Sequence, residues 1–161
     1  MSDNLYLTET TKDYYMADLE KVIAYDKSEF WKLDEGLADI LIRINQSPNI
    51  QIIYSKKLTP KPDMFGMKRN SYLYIAYKNN TKEKLINTLK EIANLFEDDI
   101  SIEERQPTIN DKKVNEKLKG IGYFDNPNCH YINHIKIEIV SFNIKEHERF
   151  FKELENKLSK L

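Results

Sequence analysis

Twice in this chain an alternating apolar stretch gives way, across a short polar turn, to apolar residues at helical spacing. Within Ser71 to Lys78, Leu73, Ile75 and Tyr77 fall on one strand face and Tyr72 and Tyr74 on the other. Asn79-Asn80 turns the chain, Thr81 is placed to cap, and Leu85, Ile86, Leu89, Ile92, Ala93 and Phe96 follow at helical spacing. Within Tyr131 to Phe142, Ile135, Ile137 and Ile139 alternate with His134, Lys136 and Glu138. Asn143 with Glu146 then matches a capping box, and Ile144, Phe150, Phe151, Leu154, Leu158 and Leu161 line the helix behind it. A one-faced strand and a one-striped helix must bury those surfaces against each other, so both units demand helix packed on sheet.

Each unit also has a strand in front of it. Ile50 to Ser55 places Ile50, Ile52 and Tyr54 on one face, and Ile100 and Ile102 begin a short strand closed by Pro107. The sum is ββα followed by ββα, without a residue-level repeat. Two helices precede it. Thr11 is positioned to cap residues 12–25, with Met16, Leu19, Val22 and Ile23 at helical spacing. Ser28 is positioned to cap a second helix running to Ile44, with Phe30, Leu33, Leu37, Ile40, Leu41 and Ile44 in one stripe. Gly36 inside that stripe costs about 1 kcal/mol relative to Ala. A short helix is expected over 111–119, stopped by Gly120, followed by a turn at Asp125-Asn126-Pro127-Asn128.

The expected fold is α+β in the order α-α-β-β-α-β-α-β-α. It is a single domain over 1–161 with an antiparallel or mixed sheet of about four strands. Amphipathic helices pack on the sheet behind an N-terminal helix pair, and residues 1–47 are an alternative helical subdomain ending near Pro48. The expected core is Leu37, Ile40, Leu41, Ile52, Ile75, Leu85, Leu89, Ile92, Ile135, Ile137, Ile139, Phe150 and Leu154.

Composition narrows function by exclusion. Lys plus Arg is 25 against 26 Asp plus Glu, so the chain lacks the overall basic field of a dedicated nucleic-acid binder. The Arg residues are Arg43, Arg69, Arg105 and Arg149, which leaves few planar forks for reading base edges. One cysteine precludes an internal disulfide and a Cys-rich zinc module. The polar start Met1-Ser2-Asp3-Asn4 lacks the basic and apolar regions of a signal peptide, and there is no apolar run long enough to span a membrane. A cytoplasmic location is expected. Phosphate-loop, dinucleotide-fold, nucleophile-elbow and zincin motifs are all missing, since the glycines are scattered and His147-Glu148 is followed by Phe151 at the position of a second ligand. Whether the chain is an enzyme is left open, with the balance against it, and no cofactor is expected.

Four constellations carry candidate chemistry. Residues 56–70 are an irregular stretch with Lys56, Lys57, Lys61, Lys68 and Arg69 against the single Asp63, and with Met64, Phe65 and Met67. Basic residues around an exposed aromatic can grip an anionic ligand or an acidic protein surface. The alternative is a loop whose Phe65 packs back on the core. Tyr72 and Tyr74 share the strand face away from Leu73, where exposed rings would anchor a partner or stack on a base. Cover by the two leading helices is the alternative. Glu97, Asp98, Asp99, Glu103 and Glu104 form an acidic run, read most simply as a solvated connection. It also allows self-association with the basic stretch of another copy. Cys129, His130 and His134 are zinc-ligand types, but on a strand the two histidines stand about 13 Å apart, at roughly 3.3 Å per residue, too far to share an ion. No metal is expected.

The function these features favour is a non-catalytic protein-binding module, such as a small bacterial or phage accessory protein acting as an inhibitor or immunity partner. Its contact residues would be Lys56, Lys57, Lys61, Phe65, Lys68, Arg69, Tyr72 and Tyr74. The alternative is a domain that senses or sequesters a nucleotide or another anionic small molecule through the basic 56–70 stretch and the strand tyrosines. Homo-oligomers fit either reading; a membrane partner or sequence-specific nucleic acid does not.

Overall fold

The structure is a computed structural model that describes residues 6–26, 36–58, 69–97, 99–106 and 132–161, except for the side chains of 14, 18 and 21–26. Its elements are α1 (Glu9–Asp26), α2 (Leu37–Ile44), β1 (Ile50–Lys56), β2 (Arg69–Tyr77), a 3-10 turn (Asn79–Thr81), α3 (Lys82–Ala93), β3 (Ile100–Arg105), β4 (His134–Ser141) and α4 (Ile144–Leu158). The expected helix over 111–119 and the turn at 125–128 lie outside the described residues.

The strands form one antiparallel sheet in the order β1-β2-β4-β3. The two ββα units therefore meet through their second strands, β2 and β4, at the centre. Alternation sends Leu73, Ile75, Tyr77, Ile135, Ile137 and Ile139 to one face, where all are buried. There they meet Leu37, Leu41 and Ile44 of α2, Leu85, Leu89 and Ile92 of α3, and Phe150, Phe151, Leu154 and Leu158 of α4. Full burial of each such side chain stabilises by about 1.5–3 kcal/mol. The expected core residues are all here, with Ile40 half-buried against its edge.

Three local expectations need correction. Thr8, not Thr11, opens α1. Its hydroxyl accepts the Thr11 N–H at 3.2 Å while its own N–H donates to Thr11 Oγ1 at 2.8 Å, so the two threonines cap reciprocally. Gly36 does not sit inside a helix. It precedes α2 with φ +76°, a left-handed conformation that favours glycine. The proposed start at Ser28 lies outside the described residues. The third correction is at β1, where the register shifts between Ile52 and Tyr54. This bulge carries Tyr54 to the face opposite Ile50 and Ile52, directly across from Tyr74.

The capping box of α4 is present in a relayed form. Asn143 Oδ1 accepts the Lys145 N–H at 3.0 Å. Asn143 N–H donates to Ser141 Oγ at 3.1 Å, and that hydroxyl donates to Glu146 Oε2 at 2.7 Å. The glutamate thus reaches the cap through Ser141 rather than directly.

The two leading helices take different positions. α2 belongs to the main core, whereas α1 lies along the β1 edge. Tyr15 of α1 joins Leu7, Ala76 and Ile132, with Ile53, in a second cluster, and Leu19 packs against the main core. Lys12 pins the helix to the edge: its ammonium donates to Asn45 O at 2.9 Å, Ile50 O at 2.7 Å and Gln51 Oε1 at 2.9 Å. Burial of this amine and the nearby Lys78 charge, against the opposing pull of Asp13, lower its pKa to about 8. No helix among the described residues is long and apolar enough to cross a membrane.

Candidate functional site

Among the described residues, the face opposite the main core is only partly covered. α1 and Ile132 occupy the end around Ala76 and Ile53. The remainder carries three tyrosines. Tyr72 and Tyr74 stand there because β2 alternates; Tyr54 stands there because β1 bulges. The Tyr54 and Tyr74 rings meet edge-on with centroids 5.4 Å apart, and the Tyr72 and Tyr74 rings lie 5.2 Å apart. Tyr54 is 50% exposed, while Tyr72 and Tyr74 are half-buried.

Charged groups from the neighbouring strands close around these rings. From β4, the His134 ring stacks on Tyr74 at 5.4 Å, and Lys136 Nζ lies 5.4 Å from the Tyr72 centroid and 5.7 Å from that of Tyr74. From β3, the Arg105 guanidinium sits 5.3 Å from the Tyr74 centroid, and its Nη1 donates to the Tyr74 hydroxyl at 2.9 Å. A polar chain borders the cluster. Lys56 Nζ donates to Asn70 Oδ1 at 2.7 Å, Asn70 Nδ2 donates to Glu138 Oε2 at 2.9 Å, and Glu138 pairs with Lys136 at 3.4 Å. Glu103 lies 3.9 Å from Arg105.

Of the residues singled out in the sequence, Lys56, Tyr72 and Tyr74 come together on this face, with Arg69 opening β2 and Lys57 following β1. Lys61, Phe65 and Lys68 lie outside the described residues, as do Cys129 and His130. His134 is committed to Tyr74 and holds Nδ1 3.1 Å from the Ile132 carbonyl. There is no group of three metal-ligating side chains among the described residues. Tyr54, Arg105 and Lys136 are members of the face that the sequence did not single out. Strict alternation hides Tyr54, and the other two acquire meaning only through the β2–β4–β3 pairing.

A buried network anchors the chain just beyond β1, on the helix-covered side of the sheet. Ser71 Oγ accepts the Leu58 N–H at 2.9 Å and lies 2.7 Å from His147 Nδ1. His147 Nε2 lies 3.0 Å from the Ser141 carbonyl, which can only accept, so the proton sits on Nε2 and Ser71 donates to Nδ1. Ser71 and His147 are fully buried. Burial lowers the His147 pKa below its ordinary 6.5; the bond to Ser141 and the charges of Glu146 and Asp99 oppose this, while Lys56 reinforces it.

The linkage has a definite sign. Below pH 6.5 the unfolded chain binds a proton at this histidine that the folded chain resists, so stability falls as pH drops through 6.5 toward the lowered folded value. Urea midpoints measured between pH 7.5 and 5 should decline in the wild type. In His147→Gln, which has no titrating ring, the decline should be shallower. Parallel curves would refute the assignment.

Two concavities among the described residues lie away from the tyrosine face, one of about 520 Å³ beside α3 at Asn79, Lys82 and Asn87, and one of about 360 Å³ at Lys12, Asn45 and Lys78. Comparison of the chain with protein-family models, with curated proteins and with solved structures finds no match in any of the three.

Proposed function

We propose that this protein is a binding module whose tyrosine-bearing sheet face docks a folded protein partner. The observation that carries this reading is the cluster of Tyr54, Tyr72 and Tyr74, held by charges that are already compensated within the chain. Tyrosine buries a large area for little lost rotamer freedom and is enriched at the energetic centres of interfaces. Lys56, Lys136 and Arg105 each have a carboxylate or amide neighbour, and Glu103 and Glu138 stand among them. A surface built for a phosphate backbone would present its cations unopposed. The basic residues of 56–70 enter beside this face through Lys56 and would extend the contact, as in an inhibitor or immunity partner.

The test compares proteins captured from the native cell by the intact chain and by Tyr54→Ala/Tyr74→Ala. Loss of one central anchor costs about 2 kcal/mol, roughly thirtyfold in affinity. The expected result is a protein that the wild type retains and the double variant loses, while Glu148→Ala/Lys152→Ala, on the exposed side of α4, still retains it. Equal recovery on the tyrosine variant overturns the reading. So does the absence of any retained protein together with a melting-temperature rise on adding nucleotides, which would favour the small-molecule alternative.

A further inference from the structure

The two edges of the sheet are finished differently. At β1, Lys78 N–H donates to Asn49 O at 3.0 Å, which marks that pair as hydrogen-bonded and turns the main-chain groups of Ile50 and Ile52 outward. Each is engaged there: Lys12 Nζ donates to the Ile50 carbonyl at 2.7 Å, and Ile52 N–H donates to Asn45 Oδ1 at 2.8 Å. At β3, Val140 N–H donates to Asp99 O at 3.0 Å, and the register then turns Ser101, Glu103 and Arg105 toward β4. Ile100, Ile102 and Glu104 face outward, and their outward main-chain groups have no hydrogen-bond partner among the described residues.

We propose that this edge pairs antiparallel with β3 of a second copy about a two-fold axis at Ile102, joining two four-stranded sheets into one of eight strands. Residues opposite each other in an antiparallel pair share the same hydrogen-bonding sense, so the axis must pass through a residue position. The charges along β3 select which one, because like charges across strands are destabilising. Pairing about Glu103, Glu104 or Arg105 sets that residue against its own copy, and pairing about Ser101 sets Asp99 against Glu103. Pairing about Ile100 engages only the start of the strand. Pairing about Ile102 sets Ile102 beside Ile102, Ser101 beside Glu103, Ile100 beside Glu104 and, at the ends, Asp99 beside Arg105. No like charges oppose, and the end pairs are of opposite sign.

Both faces of the joined sheet fit this register. On the helix side, Ile100 and Ile102 are half-buried at the edge of the main core, and the axis lets the two Ile102 side chains cover each other. Glu104 comes beside Ile100 with its charge already met by Lys82 of its own chain at 2.7 Å. On the tyrosine side, the exposed Ser101 hydroxyl is placed to donate to Glu103 of the other copy. Ile102 with its copy and the two Ile100–Glu104 pairs are the hydrogen-bonded positions, about six main-chain bonds in all. Charges on an edge strand guard against indiscriminate pairing, and here they leave one symmetric register open. Opposed residues share a face, so the two tyrosine clusters would stand on the same side of the joined sheet. The inference does not depend on what those clusters bind, because it requires only β3.

Sedimentation equilibrium from about 10 μM to about 1 mM should show the average mass rise from one chain toward two. Ser101→Lys places a lysine opposite Glu103 at two symmetric positions and should tighten the dimer about tenfold. Ser101→Glu should weaken it by about the same factor. Disulfide trapping in a Cys129→Ser background reads the register. Position 101 of one copy and 103 of the other form a non-hydrogen-bonded pair with Cα atoms about 4.5 Å apart, within disulfide reach. A mixture of Ser101→Cys and Glu103→Cys chains should cross-link on oxidation, and neither variant alone should do so. A chain that stays monomeric at about 1 mM overturns the proposal. A dimer indifferent to both Ser101 charge variants, or a mixture that cross-links no better than its separate members, does the same.

Discussion

Replacing Phe150 by alanine is expected to remove about 3–5 kcal/mol of folding stability, the usual cost of deleting a buried aromatic ring. The ring is fully buried on α4, with Phe151 at 5.4 Å and Phe96 at 6.2 Å, both edge-on. Arg149 lies over Phe96 at 4.7 Å and closes the stack toward solvent. Phe96 follows α3 and Phe150 belongs to α4, so the cavity would open between two of the three helices that hold the main core. A domain of this kind has about 5–15 kcal/mol in total, so the variant should be marginal. Urea denaturation checks it: the midpoint should fall sharply with an unchanged slope. A loss below about 1 kcal/mol would mean that the helices collapse into the space without penalty.

Ser71→Ala is expected to cost about 2–4 kcal/mol, far more than its small volume suggests. The change strands two groups at once, the half-buried Leu58 N–H and the buried His147 Nδ1. Each orphaned group costs about 1–3 kcal/mol. The effect should also be local: the Leu58 amide should exchange with solvent faster than amides elsewhere in the sheet. A stability loss without faster exchange at Leu58 would show that Ser71 supports only the helix side of the network. Because Leu58 leads into the basic stretch, this serine couples the core to the surface proposed to bind.

Much of the architecture was legible in the residues. Leu73, Ile75 and Tyr77, and Ile135, Ile137 and Ile139, alternate without interruption, and the helices behind them carry single apolar stripes. Those periods depend on backbone geometry alone, so they survive translation into structure. The capping errors have local causes. Thr8 and Thr11 are chemically equivalent caps, and reciprocal bonding between them moves the helix start three residues forward. Gly36 reads as a tolerated helix interior until its positive φ is seen.

The tyrosine face was half legible. Tyr72 and Tyr74 follow from the period of β2, but strict alternation places Tyr54 on the face of Ile50 and Ile52. One extra residue at the bulge reverses its side, and a bulge is set by pairing with β2 rather than by the β1 residues themselves. Arg105 reaches Tyr74 across 31 positions of sequence, and Ser71 reaches His147 across 76. Nothing local to either partner signals such a contact.

The sequence by itself determined which segments are strands and helices and which side of each is apolar, because those properties reside in neighbours a few residues apart. Tertiary structure decided which strands became edges, which edge Lys12 and Asn45 closed, and which charges gathered around Tyr74. Those outcomes depend on strand order and register, and these are settled only when distant segments compete for the same hydrogen bonds and the same buried space.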